Sequence, residues 1–245
     1  MEDQNKLEHI NLPLDDKGKE DSKKRRLSGI DCLLAIVAIG LTFFLSNLLT
    51  ALFIDDWTSD TAVYFSGFVT QLLFLFFILL IKIVRRWSWR DLGFRPLAMK
   101  KVWGTVILFY VISFSFNLIY ALYATAHGFN PPENDAYDQL LGQSSWLLVA
   151  VNIILTAVLA PVMEETLFRG MICNGLSAHF GQWTAAILSA ALFSAVHFQA
   201  FGFAPRLVLG LLLARLFQRY NSIYPSIAFH ALNNFIAVIL GALLI

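Results

Sequence analysis

Residues 147–170 read LLVAVNIILTAVLAPVMEETLFRG. From Leu147 to Pro161 the only polar side chains are Asn152 and Thr156. A run of that character is the start of a membrane-spanning helix, which needs about 20 mostly apolar residues. Three residues after Pro161 come two adjacent carboxylates, Glu164 and Glu165, and then Arg169. Charged groups inside a span cost several kcal/mol on insertion scales, so they are functional candidates by default. This stretch sets both the fold class and the chemistry to look for.

The rest of the chain agrees with the first half of that reading. It has 245 residues, of which 58% are apolar and 14% charged, and its mean hydropathy is +0.65. Soluble domains are about 45–50% apolar and about 25% charged. A soluble globule, a disordered chain and a nucleic-acid binder are therefore excluded. The net charge of +1 offers no global field to steer an anionic partner. Cys32 and Cys173 both lie in apolar runs and read as small buried residues, not as a disulfide framework.

Charge is concentrated at the amino terminus. Residues 1–26 carry seven acids and seven bases, which predicts a disordered, charged cytoplasmic tail. Residues 27–245 then form one transmembrane domain, and no cleaved signal is expected. The expected fold is an all-α, polytopic bundle of about seven spans, within a range of six to eight. Candidate spans are 30–54, 62–84, 102–126, 146–161, 183–200, 203–217 and 223–245. Lys/Arg asymmetry predicts the orientation. Lys23, Lys24, Arg25 and Arg26 put the amino terminus inside, and Asp55, Asp56 and Asp60 put the first turn outside. The basic linker 82–101 lies inside, the loop with Pro131 and Pro132 outside, and the carboxyl terminus outside. Arg206 fits this scheme poorly. Trp87 and Trp89, beside Arg85, Arg86 and Arg90, read as an interfacial anchor.

Three clusters of polar groups fall inside apolar helices. In the first, Glu165 and Arg169 are four residues apart and share a helix face, so they can pair. Glu164 points about 100° away from Glu165. It is left as a carboxylate aimed into a cavity, suited to general-base work. In the second, Phe193 and His197 are co-facial. In the third, His230 and Asn234 are co-facial, with Asn233 beside them. One carboxylate pair and two histidines on three helices match a water-activating site. His9, His127 and His179 read as structural or solvated.

Glu-Glu-x-x-x-Arg, Phe-x-x-x-His and His-x-x-x-Asn, in that order, resemble the CPBP (Abi) intramembrane proteases, which include the prenyl-protein CAAX endopeptidases. The resemblance covers about residues 145–240, a core built from spans four to seven. It implies peptide-bond hydrolysis within the membrane, on a hydrophobic or lipid-anchored peptide substrate. Glu164 would activate water with help from His197, and His230 and Asn234 would stabilise the oxyanion. Glu165, Arg169 and Phe193 would support the site. A metal-free reaction is expected. If zinc were used instead, Glu164, His197 and His230 would be its ligands. The implied partners are membrane lipid and the substrate, with no nucleic acid. The expected home is a plasma membrane, most simply a bacterial one. A non-catalytic scaffold or bacteriocin-immunity protein, and a transporter or proton relay, are the competing readings.

Straight, fully spanning helices raise one difficulty. At 1.5 Å per residue, Glu164 lies roughly 27 Å from Trp146, toward the inside. On the same count His197 lies roughly 21 Å from Trp183, toward the outside, and His230 about 10 Å in from Ile223. Bringing them to one depth requires a kink near Pro161 or a fifth span that starts well inside the core.

Overall fold

The computed structural model describes residues 27–57, 59–129 and 145–243. The expected tail and the loop with Pro131 and Pro132 lie outside the described residues. All regular structure among the described residues is helical. The first three helices are α1 (Gly29–Phe53), α2 (Asp60–Arg85) and α3 (Trp103–Ala126), with a short 3₁₀ turn at Met99–Lys101. A long helical run follows. It consists of α4 (Trp146–Asn152), a π-helical stretch π1 (Ile153–Leu159), α5 (Ala160–Glu165), a second stretch π2 (Thr166–Cys173) and α6 (Asn174–Ala195). The last two helices are α7 (Phe203–Tyr220) and α8 (Tyr224–Leu243). Among the described residues, five runs are long and apolar enough to cross a membrane: α1, α2, α3, the 50-residue run Trp146–Ala195, and α8. With three arginines in 18 residues, α7 is not among them.

The 50-residue run is not one rod. Gly181 has φ 77° and ψ 168°, outside the helical region, in a conformation essentially reserved for glycine. The chain reverses there, and the second half of α6 packs back on π2. Ser189 Oγ donates to the Phe168 carbonyl at 2.9 Å, and the Phe168 and Phe193 rings meet edge to face at 5.2 Å. Between helices in lipid there is little hydrophobic drive, so close packing must hold the contact. The α6–α7 pair shows this: a Cβ on Gly210 would come 3.0 Å from Ala190.

The reversal resolves the depth difficulty. Glu164 lies 17 residues before Gly181 and His197 lies 16 residues after it. Glu164 is therefore in the middle of a long helical run, not near the end of a span that finishes at Pro161. His197 sits in the turn just beyond α6, because that helix ends at Ala195. His230 reaches the same level independently. Gly170 abuts Ile223, and Glu164 and His230 lie six and seven residues from those two positions.

The membrane-facing first half also holds a polar knot that the sequence reading missed. Asp31, fully buried in α1, accepts from Arg85 Nε at 2.7 Å, Trp87 Nε1 at 3.1 Å and Ser28 at 2.8 Å. Trp87 is thus not an interfacial anchor: it is buried and fixes the end of α2 to the start of α1. Trp89 does remain exposed, with Lys82 Nζ 5.0 Å over its ring. Cys32 and Cys173 are buried free thiols.

Candidate active site

The site is assembled from α5, π2, the end of α6 and the first half of α8. Glu165 and Arg169 form the ion pair that their spacing predicts, Arg169 Nη1 to Glu165 Oε1 at 2.9 Å, and both side chains are fully buried. Arg169 Nη2 donates to the Gly210 carbonyl at 3.1 Å. The guanidinium carbon lies 4.7 Å from the centre of the Phe193 ring. A buried charge needs this much company, since an unpaired one is expensive.

His230 joins the two glutamates. Its Nδ1 lies 2.9 Å from Glu165 Oε1, and its Nε2 lies 3.8 Å from Glu164 Oε2. The two carboxylates differ in access, with Glu164 17% exposed and Glu165 fully buried. Phe193 is the hub that the histidines share. Its ring lies 5.0 Å from the His197 ring and 5.6 Å from the His230 ring. His197 Nδ1 is 2.7 Å from the Phe193 carbonyl. A carbonyl can only accept, so Nδ1 carries the proton and Nε2 presents a lone pair.

Asn234 is held by a backbone group that π1 makes available. In an α-helix the Thr156 carbonyl would accept from Ala160 N–H, but that N–H is turned to Leu155 O. The next candidate donor is residue 161, a proline, which has no N–H. The Thr156 carbonyl is left for Asn234 Nδ2, which donates to it at 2.8 Å. Proline is therefore accommodated by a π segment, which often marks a functional site. Asn234 keeps one amide N–H for another acceptor. Asn233 Nδ2 donates to Asn234 Oδ1 at 3.2 Å.

Further residues near the site escaped the sequence reading. Gln199 and Arg206 pair directly across the turn that follows His197, which gives Arg206, in the first turn of α7, a polar partner. Asn152 is buried and meets the Tyr64 hydroxyl of α2. Polarity inside apolar runs was the available signal for both. The other histidines are structural: His179 Nε2 accepts from Gly29 N–H at 3.1 Å, and His127 Nδ1 lies 2.8 Å from the Tyr123 carbonyl. His9 lies outside the described residues. Among the described residues, no three His, Cys, Asp or Glu side chains converge as metal ligands would. His230 gives Nδ1 to Glu165 and turns Nε2 toward Glu164, so the carboxylate behind the ring fixes which nitrogen faces the site. A cavity of about 690 Å³ opens between α2 and α4, lined mainly by apolar side chains such as Phe65, Phe68, Leu155 and Leu159.

Fold and site together define a multi-pass helical membrane protein with a buried glutamate–histidine–asparagine cluster. Residues 145–236, which carry all three motifs, match the family described as type II CAAX prenyl endopeptidase Rce1-like. The matched segment runs from the start of the long helical run into α8. No curated protein and no solved structure matches the chain.

Proposed function

We propose that this protein is an intramembrane endopeptidase that hydrolyses a peptide bond with water activated by Glu164. The observation that carries this reading is the contrast between the two adjacent glutamates. Glu165 is neutralised by Arg169 and hydrogen-bonded to His230, while Glu164 has no such cation at bonding distance and keeps some exposure. That is the division expected between a structural carboxylate and a general base.

Glu164 takes a proton from water, and the resulting hydroxide attacks the scissile carbonyl. His197 Nε2, with its lone pair, accepts a hydrogen bond from that water and orients it. Negative charge then develops on the carbonyl oxygen. The remaining Asn234 amide N–H donates to it, and so does His230 Nε2 when the ring is protonated against Glu165. Donors fixed in advance in a low-dielectric site are the usual large contribution to such catalysis. Glu164 returns its proton to the departing amine as the C–N bond breaks. The substrate is a hydrophobic or lipid-anchored peptide, and the apolar cavity between α2 and α4 supports that reading. In the membrane the chain makes seven passes, counting both halves of the run broken at Gly181 and α7. The amino terminus faces the cytoplasm of a plasma membrane.

The test is single-turnover cleavage by purified protein in lipid, using a panel of hydrophobic and prenylated peptides. Cleavage that requires Glu164 and persists in a chelator is the expected result. Cleavage that survives Glu164→Ala overturns the assignment. Loss with chelator and rescue by zinc overturns the metal-free mechanism.

A further inference from the structure

Hydrolysis inside a bilayer needs water where lipid supplies none, and α1 and α2 carry polar side chains that the site described above does not use. On α1, Thr42, Ser46 and Thr50 recur every four residues, so they share one face, and all three are buried. At the α1–α2 contact, Ser46 Oγ donates to the Ser66 carbonyl at 3.1 Å, and Thr70 Oγ1 donates to Ser46 Oγ at 2.9 Å. Thr50 Oγ1 donates to the Ser46 carbonyl at 2.9 Å. The first two bonds are ordinary glue between membrane helices, and the third lies within α1.

Beside this contact the pattern changes. Thr42 Oγ1 and Gln71 Oε1 are buried without any hydrogen-bond partner in the protein. The two helices run antiparallel. The Phe43–Phe74 ring contact at 6.0 Å therefore puts Thr42 and Gln71 within a turn of the same level. That level is next to the site. Phe43 also meets Phe198, the residue after His197, at 6.2 Å. On the other side, α2 runs parallel to the long helical run. Tyr64 meets Asn152, and a Cβ on Gly67 would lie 4.0 Å from Leu155. Continuing that register, Gln71 falls beside Leu159, little more than a turn from Glu164. Two buried polar atoms lacking protein partners at one depth in a membrane cost several kcal/mol between them unless water satisfies them.

We propose that Thr42 and Gln71 line a hydrated polar pocket adjoining Glu164, from which the hydrolytic water is drawn. The proposal rests on the hydrolase reading for its purpose but not for its test. The hydroxyl ladder Thr50–Ser46 leads from the α1–α2 turn to this pocket.

The test is cysteine accessibility in proteoliposomes. Gln71→Cys and Thr42→Cys are each treated with a charged, water-soluble methanethiosulfonate present on both sides of the membrane. Leu72→Cys and Leu41→Cys, at the exposed and therefore lipid-facing neighbouring positions, are the controls. The two buried native thiols set the baseline. The reagent attacks the thiolate, which forms only where water reaches it, so residues 42 and 71 should react at least about tenfold faster than their neighbours. Equal rates at 71 and 72, and at 42 and 41, overturn the proposal. Because labelling needs no turnover, it separates this pocket from the hydrolase reading: a hydrated pocket in a protein that cleaves nothing would refute the second alone.

Discussion

His230 Nδ1 lies 2.9 Å from Glu165 Oε1 while its Nε2 faces Glu164 Oε2 at 3.8 Å, so one imidazole spans two consecutive carboxylates. The backbone turns adjacent residues about 100° apart, and only a side chain from another helix can address both. α8 supplies it. The arrangement ties the orientation of His230 to the Glu165–Arg169 pair and leaves Glu164 the more exposed of the two carboxylates.

Replacing Glu164 by glutamine keeps the shape and removes the base. The kcat for peptide cleavage should fall by about 10² to 10⁴, with little change in thermal unfolding. Measured turnover near that of the unaltered protein would sink the assignment.

Glu165 and Arg169 should behave as a unit. Removing one partner, as in Arg169→Met or Glu165→Gln, leaves a buried group uncompensated and should cost about 3–5 kcal/mol. The double replacement should cost less than the sum of the two. A double-mutant cycle by thermal unfolding in detergent reads this directly, and additive losses would argue against a coupled pair.

Asn234→Ala should lower kcat by about 10² to 10³ with a much smaller change in KM, as for loss of one oxyanion donor. The comparison is Thr156→Val, which leaves the backbone carbonyl that anchors Asn234 in place and should keep most activity. A KM effect alone would assign Asn234 to ground-state binding.

Gly181→Ala isolates backbone strain, because an added Cβ there meets nothing within 4 Å. The φ of 77° and ψ of 168° should still cost about 1–3 kcal/mol. Unfolding measurements should show that loss. A neutral result would mean that the reversal at residue 181 does not need glycine.

Hydropathy revealed most of the helices to within a few residues, because lipid requires long apolar runs whose backbone is satisfied internally, but it ended the fourth at residue 161, where the run continues to Gly181. The first three spans expected, 30–54, 62–84 and 102–126, fall on α1, α2 and α3. Helical spacing likewise gave the Glu165–Arg169 pair, a local relation along one helix; Phe193 and His197 do touch, but His197 lies in the turn beyond α6 and not on the helix face that spacing implied. What the pattern of residues could not reveal was depth. A break at Gly181 and two π stretches around Ala160–Glu165 have no hydropathy signature, yet they bring Glu164, His197 and His230 to one level. Trp87 was misread for a related reason: its neighbours in sequence are interfacial cations, but its indole partner, Asp31, is 56 residues away. The sequence by itself determined an all-helical membrane protein and which polar residues lie within its apolar runs. Only the tertiary structure decided which carboxylate is paired with Arg169, which backbone carbonyl holds Asn234, and which buried polar atoms lack a protein partner, because those depend on contacts between helices.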